Sequence, residues 1–449
     1  MNEFSLTSLL QSQREPDQLV AFDGNKTIAW RQWKQDVVRV SSALVQIQAS
    51  TCAVYTASPY WCAVATVVSL LCGKTVLLLP GMQKCMLQAL DAQTVLLLDE
   101  STASIHDVPV PCLDLKTVAG DQAQDAPAVK VDDGAIVALF TSGSSGQPVR
   151  IDKTLANFES EVNCLESMWG SRLQGAAVMA TVSHQHIYGF LFCVLWPLLS
   201  GRPLYDGIIE YPEQLTLFGI QASVLVSSPA FLKRITGQKQ LELPGLVFSS
   251  GGPLDPQVNR LLRAMTGTTL IEVFGSTETG GVASRDLLLD EAWTLMPGVQ
   301  AVQCDDGLSI NSRHCLEGAF TMSDRCHWLD EQRFALLGRG DRIVKLEEKR
   351  VSLLQIETRL LAETSVSECH ALVLNGKRDL LCLAVVLSDD GARQRINVGD
   401  RSIKQQIKAW LLDVVEPVAL PRRIRFMDNL PLTAQGKVDR IELESHFYV

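Results

Sequence analysis

The sequence predicts an α/β protein with a large N-terminal domain of stacked α/β subdomains, mostly parallel in their sheets, and a small, mobile α+β domain at the C-terminus. Three observations support this fold class. Short aliphatic strands alternate with helical stretches, as in parallel sheets. A chain of 449 residues is too long for one ordinary hydrophobic core. Near Gly338–Asp341 the pattern changes to a smaller mixed unit, so we predict domains at 1–340 and 341–449.

The first predicted element is an amphipathic helix that begins at Thr27, a plausible N-cap, and runs to about Gln46. Two series of strands follow, separated by a polar connector at 120–133. The predicted strands are Ala53–Thr56, Thr75–Leu79, Thr94–Leu98, Ile136–Phe140, Ala177–Val182, Ser223–Val226, Leu246–Ser249 and Leu270–Phe274. Several of them end at glycine- and hydroxyl-rich loops, and open α/β sheets bind ligands at that position.

Composition excludes several classes of function. A formal charge of −10 argues against nucleic acid as a partner, because phosphate neutralisation requires a basic surface. Twelve cysteines without CxxC pairs and a start without a signal pattern indicate a reduced, cytoplasmic protein. The most apolar stretch, from Cys62 to Pro80, is broken by Gly73-Lys74, so we predict a buried helix and a strand rather than a membrane span.

Charge is unevenly distributed along the chain. From Arg342 onward there are 17 Lys/Arg and 15 Asp/Glu, so this part carries +2 and the remainder −12. A slightly basic C-terminal region suits an acidic partner, but ordinary surface scatter explains the difference equally well.

The loop between Phe140 and Pro148 is the first motif with chemical meaning. Its small residues let the backbone approach a ligand, its turned amides suit an anion, and its hydroxyls add donors. No Gly-Lys-Ser/Thr follows, which excludes the Walker loop. Either Arg150 or Lys153 is available to supply positive charge. The candidate phosphate-binding residues are Thr141, Ser142, Gly143, Ser144, Ser145 and Gly146.

Two further motifs lie downstream. Phe274-Gly275-Ser276-Thr277-Glu278-Thr279-Gly280 follows a predicted strand, and Leu430-Pro431-Leu432-Thr433-Ala434-Gln435-Gly436-Lys437 lies near the C-terminus. In this order, and together with the hydroxyl-rich loop, they resemble the motifs of the adenylate-forming enzymes. That superfamily contains acyl-CoA synthetases, firefly luciferase and peptide-synthetase adenylation domains. The resemblance covers essentially the whole chain and implies an AMP-forming ligase.

The resemblance implies a role for each residue of the central motif. Phe274 and Gly275 would lie against adenine, Thr277 would meet the α-phosphate, and Glu278 would hold Mg²⁺ through its hard carboxylate oxygens. A simpler alternative is that Thr-Glu caps a helix. In the run 249–254, Gly252 would approach the nucleotide, and Ser250 and Gly251 the acyl substrate.

The segment 184–190 allows two interpretations. A His-x-His pair on a strand places both rings on one face, as in a metal site, but no further His or Cys has ligand-like spacing. It also resembles the family's His-x-x-Gly segment, which implies that His186 gates the acyl pocket with Gly189. Phe190 would line that pocket, or would be an ordinary core aromatic, as would Tyr188.

Four residues near the predicted domain boundary also match family positions. Asp324 would bind the ribose hydroxyls, although a plain solvated aspartate is the alternative. Arg339 would contact ribose or phosphate. Asp341 would be the hinge of the C-terminal domain, and Lys345 follows at the expected spacing.

Lys437 is the predicted catalytic lysine. Attack of a carboxylate on the α-phosphate gathers negative charge, which a positioned ammonium stabilises. Gly436 permits the turn that presents it. One position departs from the family, because Glu348 stands where a glycine commonly lies beside the pantetheine arm. The route of pantetheine must therefore differ, or thioester formation is weak.

The compact length and the run 348–352 look most like the stand-alone ligases of aryl polyene and xanthomonadin-type pathways. Such a ligase would use ATP and Mg²⁺ to load an aromatic acid, typically a hydroxybenzoate, onto the phosphopantetheine of an acyl carrier protein. The alternatives are an acyl-CoA synthetase that uses free CoA with a short or medium acid, and a non-catalytic nucleotide-binding regulator.

Overall fold

The computed structural model describes residues 4–82, 84–99, 108–118, 131–142, 148–217, 223–238, 242–346, 349–374, 380–412, 415, 417, 420–433 and 438–448. The chain divides into two compact units. The first contains Met1–Val302, Ser309–Phe320 and Leu329–Phe334. The second contains Gln303–Leu308, Thr321–Trp328 and Ala335–Val449. The second unit thus takes in segments that precede residue 341, and the domain boundary at 340/341 stays a prediction.

The strands are short. In chain order they are β1 (Leu19–Phe22), β2 (Thr27–Ala29), β3 (Thr51–Tyr55), β4 (Thr75–Leu78), β5 (Thr94–Leu98), β6 (Cys112–Asp114), β7 (Ile136–Ser142), β8 (Pro148–Thr154), β9 (Ala177–Ala180), β10 (Leu204–Tyr205), β11 (Ser223–Ser227), β12 (Leu246–Ser249), β13 (Thr269–Ser276), β14 (Gly280–Arg285), β15 (Trp293–Leu295), β16 (Gln300–Cys304), β17 (Gly307–Asn311), β18 (Ala319–Met322), β19 (Asp324–Trp328), β20 (Arg333–Arg339), β21 (Ile343–Leu346), β22 (Lys349–Ser352), β23 (Val366–Leu374), β24 (Leu380–Leu387) and β25 (Arg423–Met427).

The helices alternate with these strands. They are α1 (Leu6–Gln11), α2 (Trp30–Leu44), α3 (Pro59–Leu71), α4 (Lys84–Gln88), α5 (Leu155–Trp169), α6 (Ile187–Gly189), α7 (Trp196–Ser200), α8 (Pro229–Ile235), α9 (Pro256–Thr266), α10 (Leu353–Leu361), α11 (Asp389–Leu411) and α12 (Arg440–Ser445). A π-helical turn, Phe190–Leu195, joins α6 to α7.

The first unit is built on two sheets. One has the order β6-β5-β3-β4-β7-β8, and its strands are parallel except for the β7–β8 hairpin. In the other, the strands follow the order β20-β15-β14-β13-β12-β11-β9-β10-β1-β2, with a parallel run from β13 to β1. Strands β5, β11 and β12 are buried along their whole length, as expected for parallel strands covered on both faces.

Two local expectations are decided here. The stretch from Cys62 to Pro80 contains buried residues of α3 and then β4, as predicted. The predicted start of the first helix is wrong, because Thr27 pairs with Phe22 in the β1–β2 hairpin and the helix begins at Trp30. No helix among the described residues is both long and apolar enough to cross a membrane.

The second unit contains a mixed sheet with the order β23-β24-β25. Strand β24 pairs antiparallel with β23 and parallel with β25. Helices α10 and α11 cover one face with Ile356, Leu360, Ile403 and Ile407, while α12 covers the other. This arrangement is α+β, as the sequence predicts.

Candidate functional site

The parallel strands β9, β11, β12 and β13 end at one edge of the large sheet. Because parallel strands present their carboxyl ends on the same side, the segments that follow these strands lie at the same end of the sheet. The histidine segment follows β9, the serine–glycine turn follows β12, and the Thr-Glu motif follows β13. The fold therefore gathers residues that are up to 94 positions apart along the chain, from 184 to 278, at one sheet edge.

The turn after β12 is fixed at both ends. Ser250 Oγ donates to the carbonyl oxygen of Val273 at 2.8 Å. At the other end the buried Glu272 carboxylate accepts the Leu254 N–H at 2.9 Å and pairs with Arg285 at 2.8 Å. The intervening glycines are exposed, and a Cβ at either Gly251 or Gly252 would meet no atom within 4 Å.

That open glycine backbone fits a ligand. Gly251 has φ +92°, in the left-handed region that favours glycine. Gly252 has no such backbone conformation, and a Cβ there would meet no atom within 4 Å, so packing within the described part of the protein does not require a glycine at this position. The position leaves room for the close approach of a ligand to the backbone, and the predicted role of Gly252 stays a prediction.

The Thr-Glu motif forms the tight turn between β13 and β14. Thr279 Oγ1 accepts the Ser276 N–H at 3.0 Å, and Ser276 Oγ accepts the Thr279 N–H at 3.2 Å. A Cβ at Gly275 would overlap the carbonyl oxygen of Gly280 across a bulge in the pairing. The chain continues into a strand, so the helix-cap alternative for Thr-Glu is wrong.

This turn presents two polar side chains at its tip. Thr277 and Glu278 are half-buried, and neither side chain has a hydrogen-bond partner among the described residues. Phe274, also half-buried, lies 5.6 Å from the Trp293 ring and 6.3 Å from Phe334, centroid to centroid. The turn is therefore rigid in its backbone and leaves one hydroxyl and one carboxylate for a ligand.

A buried lysine supports the turn from behind. Lys153 is 0% exposed, and its Nζ donates to the carbonyl oxygen of Glu278 at 3.2 Å and to that of His314. Burial lowers the pKa of this ammonium, while the charge of buried Glu161 acts in the opposite direction. Glu161 in turn accepts the Gly281 N–H at 2.6 Å.

The two cations left open by the sequence differ in their surroundings. Lys153 is enclosed and bound to main-chain carbonyl groups, whereas Arg150 is exposed and pairs with Asp152 at 2.6 Å. The sequence analysis missed the role of Lys153 and Glu161 as supports for the Thr-Glu turn. No local pattern distinguishes them, because β8 also carries Arg150 and Asp152, and α5 also carries Glu159 and Glu166.

The histidine segment does not lie on a strand, because β9 ends at Ala180 and the following turn contains both histidines. His184 is buried, and its Nε2 donates to the Thr56 carbonyl oxygen at 2.9 Å. Burial lowers the pKa of His184 to about 4. His186 is half-buried at the N-cap of α6. A Cβ at Gly189 would overlap the Ser183 carbonyl oxygen, so close packing of α6 on this turn requires glycine.

The two aromatic residues of this segment differ in exposure. Phe190 is 0% exposed and packs edge-to-face on Phe158 at 5.5 Å. A ring without exposed surface is a core residue in this conformation and has no face for a substrate. Tyr188 is half-buried and lies 4.8 Å from Phe192.

The described residues contain no cluster of three or more His, Cys, Asp or Glu side chains that could hold a metal ion. Mg²⁺ is usually bound by one or two carboxylates together with substrate phosphates, so the half-buried Glu278 carboxylate fits the predicted ion.

Several predicted residues fall elsewhere. Asp324 is buried, with 7% of its surface exposed, and Arg339 is exposed; both lie in the second unit. Asp341 follows as the middle residue of a short 3₁₀ turn, Gly340–Arg342. Thr141 and Ser142 are the last residues of β7, which pairs antiparallel with β8. The remaining loop residues (Gly143, Ser144, Ser145 and Gly146), Glu348 and Lys437 lie outside the described residues.

The chain resembles known proteins in sequence and in fold. Residues 10–306 match the family described as AMP-binding enzyme, and residues 355–437 match the AMP-binding enzyme C-terminal domain. A 4-coumarate–CoA ligase of Rhodobacter capsulatus is 30% identical over 303 residues, which cover 67% of this chain and 74% of that protein.

Solved structures share the fold over the whole chain. ATP-bound MatB from Rhodopseudomonas palustris superposes with a TM-score of 0.84 at 19% identity, covering 100% of this chain and 99% of that one. A benzoate CoA ligase from Burkholderia xenovorans gives 0.80 at 16% identity, covering 99% and 100%. The chain therefore belongs to the AMP-binding enzyme family and has the adenylate-forming fold, and it is an AMP-forming acid–thiol ligase that activates a carboxylic acid with ATP.

Proposed function

We propose that this ligase activates an aromatic acid of the hydroxybenzoate class and transfers it to the phosphopantetheine thiol of an acyl carrier protein. One observation carries the proposal: the open Gly251–Gly252 backbone and the Thr277–Glu278 turn lie at the same end of the large sheet. The 4-coumarate–CoA ligase and the benzoate CoA ligase named above are aromatic-acid ligases by name, which supports the choice of acid. We place the reaction in the cytoplasm, consistent with the free thiols of the described cysteines.

In the first half-reaction the acid carboxylate attacks the α-phosphorus of ATP. A bond forms between the carboxylate oxygen and phosphorus, the bond to the β-phosphate oxygen breaks, and pyrophosphate leaves. Thr277 donates a hydrogen bond to the α-phosphate, and the Gly252 backbone and the Phe274 ring position the adenine. Mg²⁺ held by Glu278 would neutralise phosphate charge.

Lys437 supplies the remaining positive charge in the proposed mechanism. Its assignment rests on the Leu-Pro-x-Thr-x-x-Gly-Lys pattern, which this chain matches fully. Asp324 and Arg339 are proposed to bind the ribose, and Asp341 to act as the hinge that removes Lys437 before the second half-reaction. The thiol then attacks the acyl carbonyl and AMP leaves.

The second candidate is a ligase that uses free CoA. The relatives named above favour it, since the 4-coumarate–CoA ligase and the benzoate CoA ligase are both CoA ligases by name. A non-catalytic nucleotide-binding regulator is disfavoured by the retention of both Glu278 and Lys437.

Pyrophosphate release with hydroxylamine trapping tests the first half-reaction. We expect the strongest signal with hydroxybenzoic acids in a panel that also contains benzoic, cinnamic and straight-chain fatty acids. Transfer rates to holo-acyl carrier protein and to free CoA then identify the acceptor. A fatty-acid signal with CoA preference would establish the second candidate, and ATP binding without pyrophosphate release would establish the regulator.

The Lys437→Ala variant separates the two half-reactions. We expect it to lose adenylation and still transfer the acyl group from a preformed acyl-adenylate, while Lys26→Ala, an exposed lysine of the first unit, behaves as the parent enzyme. Normal adenylation in Lys437→Ala would refute its catalytic role.

A further inference from the structure

A basic groove lies in the second unit, between α11 and the strand β25. It has a volume of about 630 Å³, and one acidic residue, Asp400, is among the residues that line it. The six cations that line it are Arg395, Lys404, Lys408, Arg422, Arg423 and Arg425.

The fold places these cations together by packing. After the interruption at Gly399, where φ is +80°, α11 buries Ile403, Ile407 and Leu411 against the sheet. Lys404 and Lys408 each follow one of these buried residues and so lie one turn apart on the groove side. Strand β25 is the outer strand of its sheet and buries Ile424, with an arginine on either side of it in sequence.

The ring of Phe426 also lines the groove. The guanidinium carbon of Arg395 lies 4.6 Å from its centroid, and Lys404 Nζ lies 5.6 Å away. Arg395 also pairs with Asp400 at 2.6 Å, so part of its charge is compensated. Lys408 and Arg422 have no carboxylate partner within the described part of the chain.

The concentration of charge is not a property of the chain as a whole, which carries −10. Residues 401–412 contain three cations and no acid, and residues 420–427 contain three arginines and no acid. Like charges brought together repel, so the arrangement favours a negatively charged occupant. Charged residues on an outer strand also prevent it from pairing with the edge strand of another molecule. This role accounts for Arg423 and Arg425 but not for the lysines on the facing helix.

We propose that this groove binds the acidic face of the carrier protein that presents the thiol. The inference rests on the proposed function, since it identifies how the acceptor is recognised. An acidic protein surface fits better than a free nucleotide for two reasons. The cations come from both a helix, α11, and the segment of β25, and so form a broad basic surface, whereas a phosphate needs only one or two. The exposed aromatic surface that an adenine needs is covered, because Arg395 and Lys404 already lie against Phe426.

Charge reversal at the two uncompensated cations tests the groove. In the Lys408→Glu/Arg422→Glu double variant we expect the KM for holo-acyl carrier protein to rise by roughly tenfold or more, because repulsion replaces attraction at the docking surface. Pyrophosphate release should stay at the parent rate, since neither residue belongs to the adenylation site. The matched control is Arg393→Glu/Arg401→Glu, which reverses two exposed cations of α11 that do not line the groove.

A competition experiment examines docking without the thiol. Apo-acyl carrier protein, which lacks the pantetheine arm, should inhibit transfer to the holo form competitively in the parent enzyme and weakly in the double variant. Added salt should raise the parent KM towards that of the variant. Direct binding of apo-acyl carrier protein to the enzyme tests docking even if no acid supports catalysis. A failure of the proposed function can therefore be distinguished from a failure of the groove proposal.

Three results would overturn the inference. One is an unchanged KM and unchanged binding of the carrier protein in the double variant. Another is an equal rise in KM for free CoA, which would make the groove a phosphate site. The third is an equal effect in the control variant, which would show a dependence on net charge alone.

Discussion

The Nζ of Lys153 donates to the main-chain carbonyl oxygen of Glu278, 125 residues further along the chain, at 3.2 Å. The same ammonium binds the carbonyl oxygen of His314, and the neighbouring carboxylate of Glu161 binds the N–H of Gly281. A buried cation and a buried anion thus hold the two ends of the turn that carries the metal-binding candidate. Preorganised backbone of this kind reduces the cost of ordering the site when ATP binds.

Replacement of this ammonium should damage both the turn and the fold around it. In Lys153→Met we expect pyrophosphate release to fall by roughly a hundredfold, because displacement of Glu278 by about 1 Å is costly. The free energy of unfolding should fall by about 3 kcal/mol, since Glu161 is left as an uncompensated buried carboxylate. Thermal unfolding and initial rates measure the two effects.

The double variant Lys153→Met/Glu161→Gln separates stability from positioning. It should recover much of the stability and little of the activity, because the Glu278 carbonyl oxygen still lacks its donor. The exposed Arg150→Met serves as the control, with changes within about 0.5 kcal/mol. Full recovery of activity in the double variant would show that Lys153 is structural only.

Gly252 offers a test of close ligand approach. A Cβ at this position would touch nothing within 4 Å, so Gly252→Ala should leave the unfolding midpoint nearly unchanged. If a ligand lies against this backbone, the same methyl group should raise the KM for ATP or for the acid by roughly tenfold, equivalent to about 1.4 kcal/mol. Gly245→Ala, also in open space, is the matched control. Parent kinetics in Gly252→Ala would remove Gly252 from the site.

Removal of the Glu278 charge should appear as a change in the dependence on Mg²⁺. In Glu278→Gln we expect the Mg²⁺ concentration for half-maximal pyrophosphate release to rise by roughly tenfold or more, because an amide oxygen is a weaker ligand than a carboxylate. Chelation of Mg²⁺ should abolish the activity of the parent enzyme. Glu331→Gln removes an exposed carboxylate of the first unit as the control. An unaltered Mg²⁺ profile would assign the ion to other ligands.

His184 should make stability depend on pH. Its pKa is about 4 in the folded protein against 6.5 for the free side chain, because burial disfavours the imidazolium. The unfolded chain therefore binds the extra proton between these values, and the free energy of unfolding falls as the pH drops from 6.5 to 4, by up to about 3 kcal/mol.

Thermal unfolding across this pH range compares the variants. His184→Gln should show a flatter decline than the parent, because it has no imidazole to protonate. His446→Gln, an exposed histidine in the second unit, should keep the parent slope. Parallel declines in the parent and His184→Gln would show that other groups control acid unfolding.

The sequence by itself determined the class of the fold and the position of its main motifs. Aliphatic runs such as Leu246–Ser249 became buried parallel strands because their pattern is local and repeats the period of a covered sheet. The glycine turn after this strand could be predicted as well. Gly251 adopts a backbone conformation there that few other residues tolerate. The family assignment followed from these motifs and their order.

Only the tertiary structure decided what surrounds them. Lys153 looked like a candidate for phosphate binding, and burial against Glu278 and His314 made it a support for the turn. For Phe190 the sequence left open a pocket residue and a core aromatic, and packing on Phe158 places it in the core. The groove cations lie on α11 and β25, and no local pattern shows that these elements adjoin. Burial and long-range contacts depend on how distant segments pack, whereas turns and strand periods depend on neighbours in the chain.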